Sequence, residues 1–197
     1  MNTSLIYKSC CFIGHRKIIE IQELKQRLQK TIENLIKEKQ VRTFIFGSRS
    51  EFDFLCHKLV SDLMSKYPTI ERVVYTCKGE FAVLKQYKKE LEQMFSTAFK
   101  QDISLCEYEK EIEHKTKFTS GKASYIERNK AMIDASDFCI FYYDENYKPK
   151  TRKHKKSDVF EYQPKSGTSL AYNYAKQKKK ILINVKSFSK KNILKQI

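Results

Sequence analysis

Ala123-Ser124-Tyr125-Ile126-Glu127-Arg128-Asn129-Lys130-Ala131-Met132-Ile133-Asp134-Ala135-Ser136-Asp137 leads directly into Phe138-Cys139-Ile140-Phe141-Tyr142-Tyr143. In the first part Tyr125, Arg128, Met132 and Ala135 recur at helical spacing. After Asp137 the pattern becomes an unbroken apolar run, as expected of a strand buried on both faces of a parallel sheet. Beyond a long charged segment, Ser166-Gly167-Thr168 opens another helix, with Leu170, Ala171, Tyr174 and Ala175 on its pattern. A helix feeding a buried strand, then a small-residue turn into a second helix, is how an open α/β sheet is assembled. Ligands of such sheets bind at the carboxyl ends of the strands, where helix N-termini favour anions.

Upstream, the same alternation holds. Tyr7 to Ile13 reads as a first strand ending at Gly14-His15-Arg16. There a glycine permits a tight turn, and Arg16 offers a planar fork for phosphate or carboxylate. Ile21, Leu24, Leu28, Ile32 and Leu35 form the apolar stripe of an amphipathic helix. Val41 to Phe46 is a second strand, followed by Gly47-Ser48-Arg49-Ser50-Glu51-Phe52-Asp53. Ser48 with Glu51, or Ser50 with Asp53, has the spacing of a capping box. The helix it opens is expected to turn Phe54, Leu55, Leu59, Leu63 and Met64 inward. Val73-Val74-Tyr75 centres a third strand, Phe81 to Phe99 has helical spacing, and Ile103 to Cys106 reads as a short strand. Glu107 to Lys117 has mixed charge and reads as a mobile loop or frayed helix. Lys180 to Val185 is the last strand. Alternating strands and helices predict a doubly wound, mostly parallel α/β sheet with helices on both faces. Residues 1–197 read as a single domain, with a basic loop over 144–164 and a basic tail over 186–197.

Composition narrows the function classes. Hydrophobic residues make up 41% and aromatics 13%, enough for a folded core. No apolar run reaches bilayer length, and the start of the chain lacks a signal peptide's apolar region, so a cytoplasmic location is expected. The six cysteines include no Cys-x-x-Cys pair, and the four histidines are dispersed. Free thiols are expected rather than a disulfide framework, and neither a metal nor a cofactor is called for. A net charge of +16 suits an anionic ligand or nucleic acid, but lysine is abundant along the whole chain. Local concentration matters more: Lys148, Lys150, Arg152, Lys153, Lys155 and Lys156 crowd the 144–164 loop.

As an ordered set, Cys11-Phe12-Ile13-Gly14-His15-Arg16, Gly47-Ser48 through Phe52-Asp53, Arg128-Asn129 with Met132 and Ser136-Asp137, and Ser166-Gly167-Thr168 with Ala171 resemble the SLOG superfamily. This is the Rossmann-like group that includes the DprA and LOG proteins, and the closest resemblance is to its YpsA-like "GHR" branch. The resemblance implies a pocket for a nucleotide or nucleotide derivative at the strand ends. Gly14, His15 and Arg16 would line one side. Gly47, Ser48, Arg49 and Asp53 would form the second loop. Arg128 would face the ligand, and Ser166, Gly167 and Thr168 would hold its phosphate-like part. His15 and Asp53 could instead bind a base or ribose edge.

Two departures from the pattern bear on function. Arg49, Ser50 and Glu51 stand where relatives carry a glycine-rich loop, and Glu51 would oppose an anion unless turned away or paired with Arg49. LOG phosphoribohydrolases carry a glutamate after their Gly-Thr pair, where this chain has Ala171, a methyl group that transfers no proton. Binding or sensing without catalysis is therefore the leading expectation, with no catalytic residue assigned. An N-glycoside or nucleotide hydrolase using Asp53, Glu51 or Glu127 is the first alternative. A DprA-like nucleic-acid-binding protein is the second, and pairing into a homo-oligomer is open to all three.

Overall fold

The computed structural model describes residues 7–47, 50–77, 107–114, 122–153 and 159–186. In chain order these residues form β1 (Lys8–Gly14), α1 (Ile21–Glu38), β2 (Val41–Phe46), α2 (Glu51–Met64), β3 (Glu71–Cys77), β4 (Lys110–His114), α3 (Lys122–Asp134), β5 (Phe138–Tyr142), α4 (Gly167–Gln177) and β6 (Ile181–Asn184). The expected helix over 81–99 and short strand over 103–106 lie outside the described residues.

All strand pairings are parallel, in the order β4-β3-β2-β1-β5-β6. The chain adds strands outward from β1 to β4 on one side, then returns to the other side of β1 for β5 and β6. That reversal between β1 and β5 leaves a crevice at their carboxyl ends, the usual ligand position in doubly wound sheets.

Side-chain alternation along each strand builds a core on each face. Cys10, Phe12, Phe44, Phe46, Phe138, Ile140 and Tyr142 point to one face, where α1 supplies Leu24, Leu28 and Ile32 and α2 supplies Phe52, Leu59 and Leu63. Cys11, Ile13, Ile45, Val73, Cys139 and Phe141 point to the other, under Met132 and Ile133 of α3 and Ala171 and Ala175 of α4. β5 is buried at every position, which explains why its sequence is uniformly apolar. Phe12 stacks on Phe44 and Phe46 with ring centroids 5.9 and 5.0 Å apart, locking β1 to β2 across the first core. Among the described residues, Cys10, Cys11, Cys56, Cys77 and Cys139 are free, buried thiols. No helix there is long and apolar enough to cross a membrane.

The opposite, amino-terminal end of the sheet is closed by polar groups. The Ser9 amide donates to Asp137 Oδ2 at 2.9 Å and its hydroxyl to the Ala135 carbonyl at 2.7 Å. Lys180 Nζ donates to the carbonyls of Ser136 and Asp134 at 2.6 and 3.1 Å, satisfying the C-terminal end of α3. Ser136 and Asp137 thus hold β1, β5 and β6 in place at the end remote from the strand carboxyl termini.

Three expectations are corrected. Glu107 to Lys117 contains a strand, β4, where a loop or frayed helix was expected. Its polar pattern is that of an exposed sheet edge, where charged residues deter further pairing. Arg72 on β3 fixes it there: Arg72 is 7% exposed, and its guanidinium donates to Glu109 at 2.6 Å through Nη2. On α2 the inward face runs through Phe52, Cys56, Leu59, Val60 and Leu63, and Phe54 is 41% exposed. Capping begins the helix at Glu51 and rotates the stripe away from Phe54. Ile21, the first residue of α1, is likewise exposed rather than part of the buried stripe.

Candidate functional site

At the switch point the structure contains an open cleft of about 970 Å³. Gly14, His15 and Arg16 reach it from the end of β1, and Gly47 from the end of β2. Ser50 and Asp53 come from the start of α2, and Tyr125, Arg128 and Asn129 from α3. Ser166, Gly167 and Thr168 bring the start of α4, and Tyr147, Pro149, Lys150 and Arg152 come from the arm after β5. Nine of the eleven expected ligand-binding residues are therefore brought together: Gly14, His15, Arg16, Gly47, Asp53, Arg128, Ser166, Gly167 and Thr168. Ser48 and Arg49 lie outside the described residues.

The two glycines at the strand ends are required by protein atoms. A Cβ on Gly47 would stand 2.8 Å from Arg128 Nη2 and 3.1 Å from its Cζ. The guanidinium therefore lies across the end of β2 in the space that the missing side chain leaves. Arg128 is 6% exposed, and its guanidinium lies 5.1 Å from the Tyr125 ring centre and donates from Nη2 to Asn129 Oδ1 at 3.1 Å. A Cβ on Gly14 would fall 2.4 Å from the Phe52 ring, so that glycine lets α2 pack on β1.

Of the two candidate capping boxes, Ser50 with Asp53 has its cap in place. Ser50 Oγ accepts the Asp53 amide at 3.0 Å and donates to Asp53 Oδ2 at 2.6 Å. Asp53 Oδ1 is shut off from solvent and has no hydrogen-bond partner among the described residues. Burial lifts this carboxyl from 3.8 to about 6, against the opposing pull of the Ser50 hydroxyl and the Arg128 charge. Glu51 has turned away: its carboxylate accepts the Ile18 amide at 3.1 Å, and its own amide donates to the Arg16 carbonyl at 3.0 Å. Those two bonds tie the loop after β1 to the start of α2 and set the backbone that carries Arg16.

α4 begins as its sequence predicts. Ser166 caps it, accepting the Ser169 amide at 2.9 Å, while Gly167 has open space around the position of a Cβ. The first amides of the helix thus stand at the cleft with an uncrowded approach. Among the described residues five cations line the cleft, Arg16, Arg128, Lys150, Arg152 and Lys165, against the single carboxyl of Asp53. Such a wall attracts an anion. Ala171, one turn further along α4, is packed into the second core and does not line the cleft.

His15 has a defined tautomer. The Asp144 amide donates to its Nε2 at 3.0 Å, so the neutral ring carries its proton on Nδ1. Burial lowers its pKa, which maintains that neutral form. The arm after β5 contributes residues not anticipated from sequence, Tyr147 and Pro149. Arg152 and Tyr162 form an antiparallel bridge at 3.0 and 2.7 Å, and Gln163 Nε2 donates to the Pro149 carbonyl at 2.6 Å. The signal in the sequence was Asp144-Glu145-Asn146-Tyr147, a turn-forming pair directly after a strand with an aromatic behind it.

An all-parallel sheet with helices on both faces and a cationic cleft at its switch point defines a Rossmann-like protein. Within that class the chain belongs to the YspA SLOG family, whose model matches residues 7–181. No curated protein matches the chain.

Proposed function

We propose that the cleft binds a nucleotide or nucleotide-derived anion, with a phosphate held between Arg128 and the N-terminus of α4. The observation that carries this reading is the placement of Arg128, a buried guanidinium laid through the space at Gly47 onto a cleft that α4 also enters. A guanidinium and the first amides of a helix are both donors that suit a phosphate oxygen, and both reach this cleft. Family membership supports the same class of ligand. Calorimetry against nucleoside mono- and diphosphates, ADP-ribose and cyclic nucleotides is the test. Arg128→Ala removes charge-assisted bonds of about 1.5–3 kcal/mol and should weaken binding at least tenfold. Unchanged affinities in both Arg128→Ala and Thr168→Val would sink the proposal.

A second reading is hydrolysis of an N-glycosidic bond, and Asp53 is the observation that favours it. A cleft-lining carboxyl with a pKa of about 6 exchanges protons near neutrality, as general acid–base work requires. Glu51 is engaged with Ile18, so Asp53 is the better candidate of the two. Chromatography of the same compounds after incubation at high enzyme concentration tests it. Product formation that disappears in Asp53→Asn supports turnover, and no product from the wild type rejects it.

A further inference from the structure

Beyond its charges, the cleft has an aromatic surface that a phosphate does not need. We infer that Tyr147 is the stacking platform for a planar base, making the ligand a nucleotide rather than a sugar phosphate or a bare polyphosphate. The inference rests on the anion site proposed above and assigns the other part of its ligand.

Tyr147 is held in place by a short, closed turn. Asp144 Oδ1 accepts the Asn146 amide at 2.9 Å, and the Asp144 carbonyl accepts the Tyr147 amide at 3.2 Å. The Asp144 amide is itself anchored on His15 Nε2. The Tyr147 ring leans on the imidazole of His15, with centroids 4.3 Å apart and planes 43° apart. His15 is only 7% exposed and is backed by Tyr142 and Tyr143, with centroids at 6.3 and 6.1 Å. The Tyr147 ring is therefore supported from behind by a buried aromatic group, yet 51% of the residue remains exposed while it lines the cleft. A solvated tyrosine needs no such backing. A ring whose outer surface is to be covered by another ring does, because a fixed platform loses little freedom when the ligand docks.

Base-on-aromatic stacking strengthens binding by roughly five- to a hundredfold per base and tolerates different bases. Sugar and phosphate groups alone would leave the ring uncovered. Tyr147 therefore separates ligands that share the phosphate chemistry of Arg128 and α4 but differ in carrying a base.

The test compares ribose 5-phosphate with AMP, GMP, CMP, UMP and ADP-ribose by calorimetry, using the full chain and its Tyr147→Ala and Tyr147→Phe variants. The expected result has at least one base-bearing ligand binding the wild type about tenfold or more tighter than ribose 5-phosphate. Tyr147→Ala then loses at least about fivefold for that ligand and leaves ribose 5-phosphate unchanged, while Tyr147→Phe stays within about twofold of wild type. Equal wild-type affinities for ribose 5-phosphate and the base-bearing ligands would overturn the inference while leaving the anion site standing. So would a Tyr147→Ala loss that is the same for both classes. Binding of none of these compounds would overturn both.

Discussion

Replacing Asp53 by asparagine probes the electrostatics of the cleft wall quantitatively. The carboxyl is lifted from 3.8 to about 6 by burial, so the folded protein holds this proton more tightly than the unfolded chain does. Its contribution to stability is therefore complete below the unfolded value and is lost as pH rises through about 6. A displacement of about two pH units, each worth about 1.4 kcal/mol, places the cost of ionised Asp53 near 3 kcal/mol at neutral pH. Asparagine has no such proton to lose, and its side-chain oxygen can still accept the Ser50 hydroxyl. The stability of D53N relative to wild type should thus increase by about 3 kcal/mol between about pH 3 and about pH 7.5. With a urea slope of about 2 kcal/mol per molar, the difference in unfolding midpoints widens by about 1.5 M. Far-UV circular dichroism of urea unfolding across that range is the assay. The difference between variant and wild type is the quantity to read, because His57 acts with the opposite sign. Burial lowers His57 from 6.5 to about 4, so its contribution is lost as pH falls through that interval and partly cancels the Asp53 slope in the wild type. A D53N difference that stays constant with pH would refute the reasoning, since it would mean that Asp53 titrates alike in the folded and unfolded chains.

Other perturbations test the remaining parts of the account. His57→Gln keeps a donor for the Glu107 carbonyl, which His57 Nε2 meets at 2.9 Å, but takes up no proton. Relative to wild type it should gain about 3 kcal/mol between about pH 7 and about pH 4, and a flat difference in the same urea series would contradict this. Gly47→Ala places a methyl 2.8 Å from Arg128 Nη2 and should weaken nucleotide binding about tenfold with an unaltered circular dichroism spectrum. Wild-type affinity in that variant would show that the observed guanidinium position is not the binding one. Gly14→Ala drives a methyl into the Phe52 ring and should cost about 1–3 kcal/mol, part of which Phe52→Leu restores in the double variant. Strictly additive losses would mean that the two positions do not press on each other.

The fold was legible because its information is local. β5 and the helix before it announce themselves through periodicity, and the start of α4 through Ser166-Gly167-Thr168, of which Ser166 is the cap. β4 was not legible: an edge strand has little apolar pattern, and its anchor, Glu109 on Arg72, joins residues far apart in sequence. Phe54 failed for a related reason. The true inward face of α2 includes Cys56 and His57, and hydrophobic periodicity gives those residues little weight.

Within the site, residue identity was easier to read than residue purpose. Glycines at two strand ends suggest close approach by a ligand, yet the atoms nearest to their missing side chains belong to Phe52 and Arg128. Only tertiary structure reveals that Gly47 is one half of the arrangement that places Arg128, so the pair, rather than either residue, is the recognisable feature. The acids show the same limit. From spacing alone, Glu51 and Asp53 stand equally close to the ligand-facing loop. Folding gives Glu51 the Ile18 amide and leaves Asp53 Oδ1 enclosed beside Arg128. A titratable carboxyl next to the proposed phosphate anchor makes the charge of the cleft depend on pH around 6. Any anion that Arg128 holds will therefore report on the protonation of Asp53 as well as on its own.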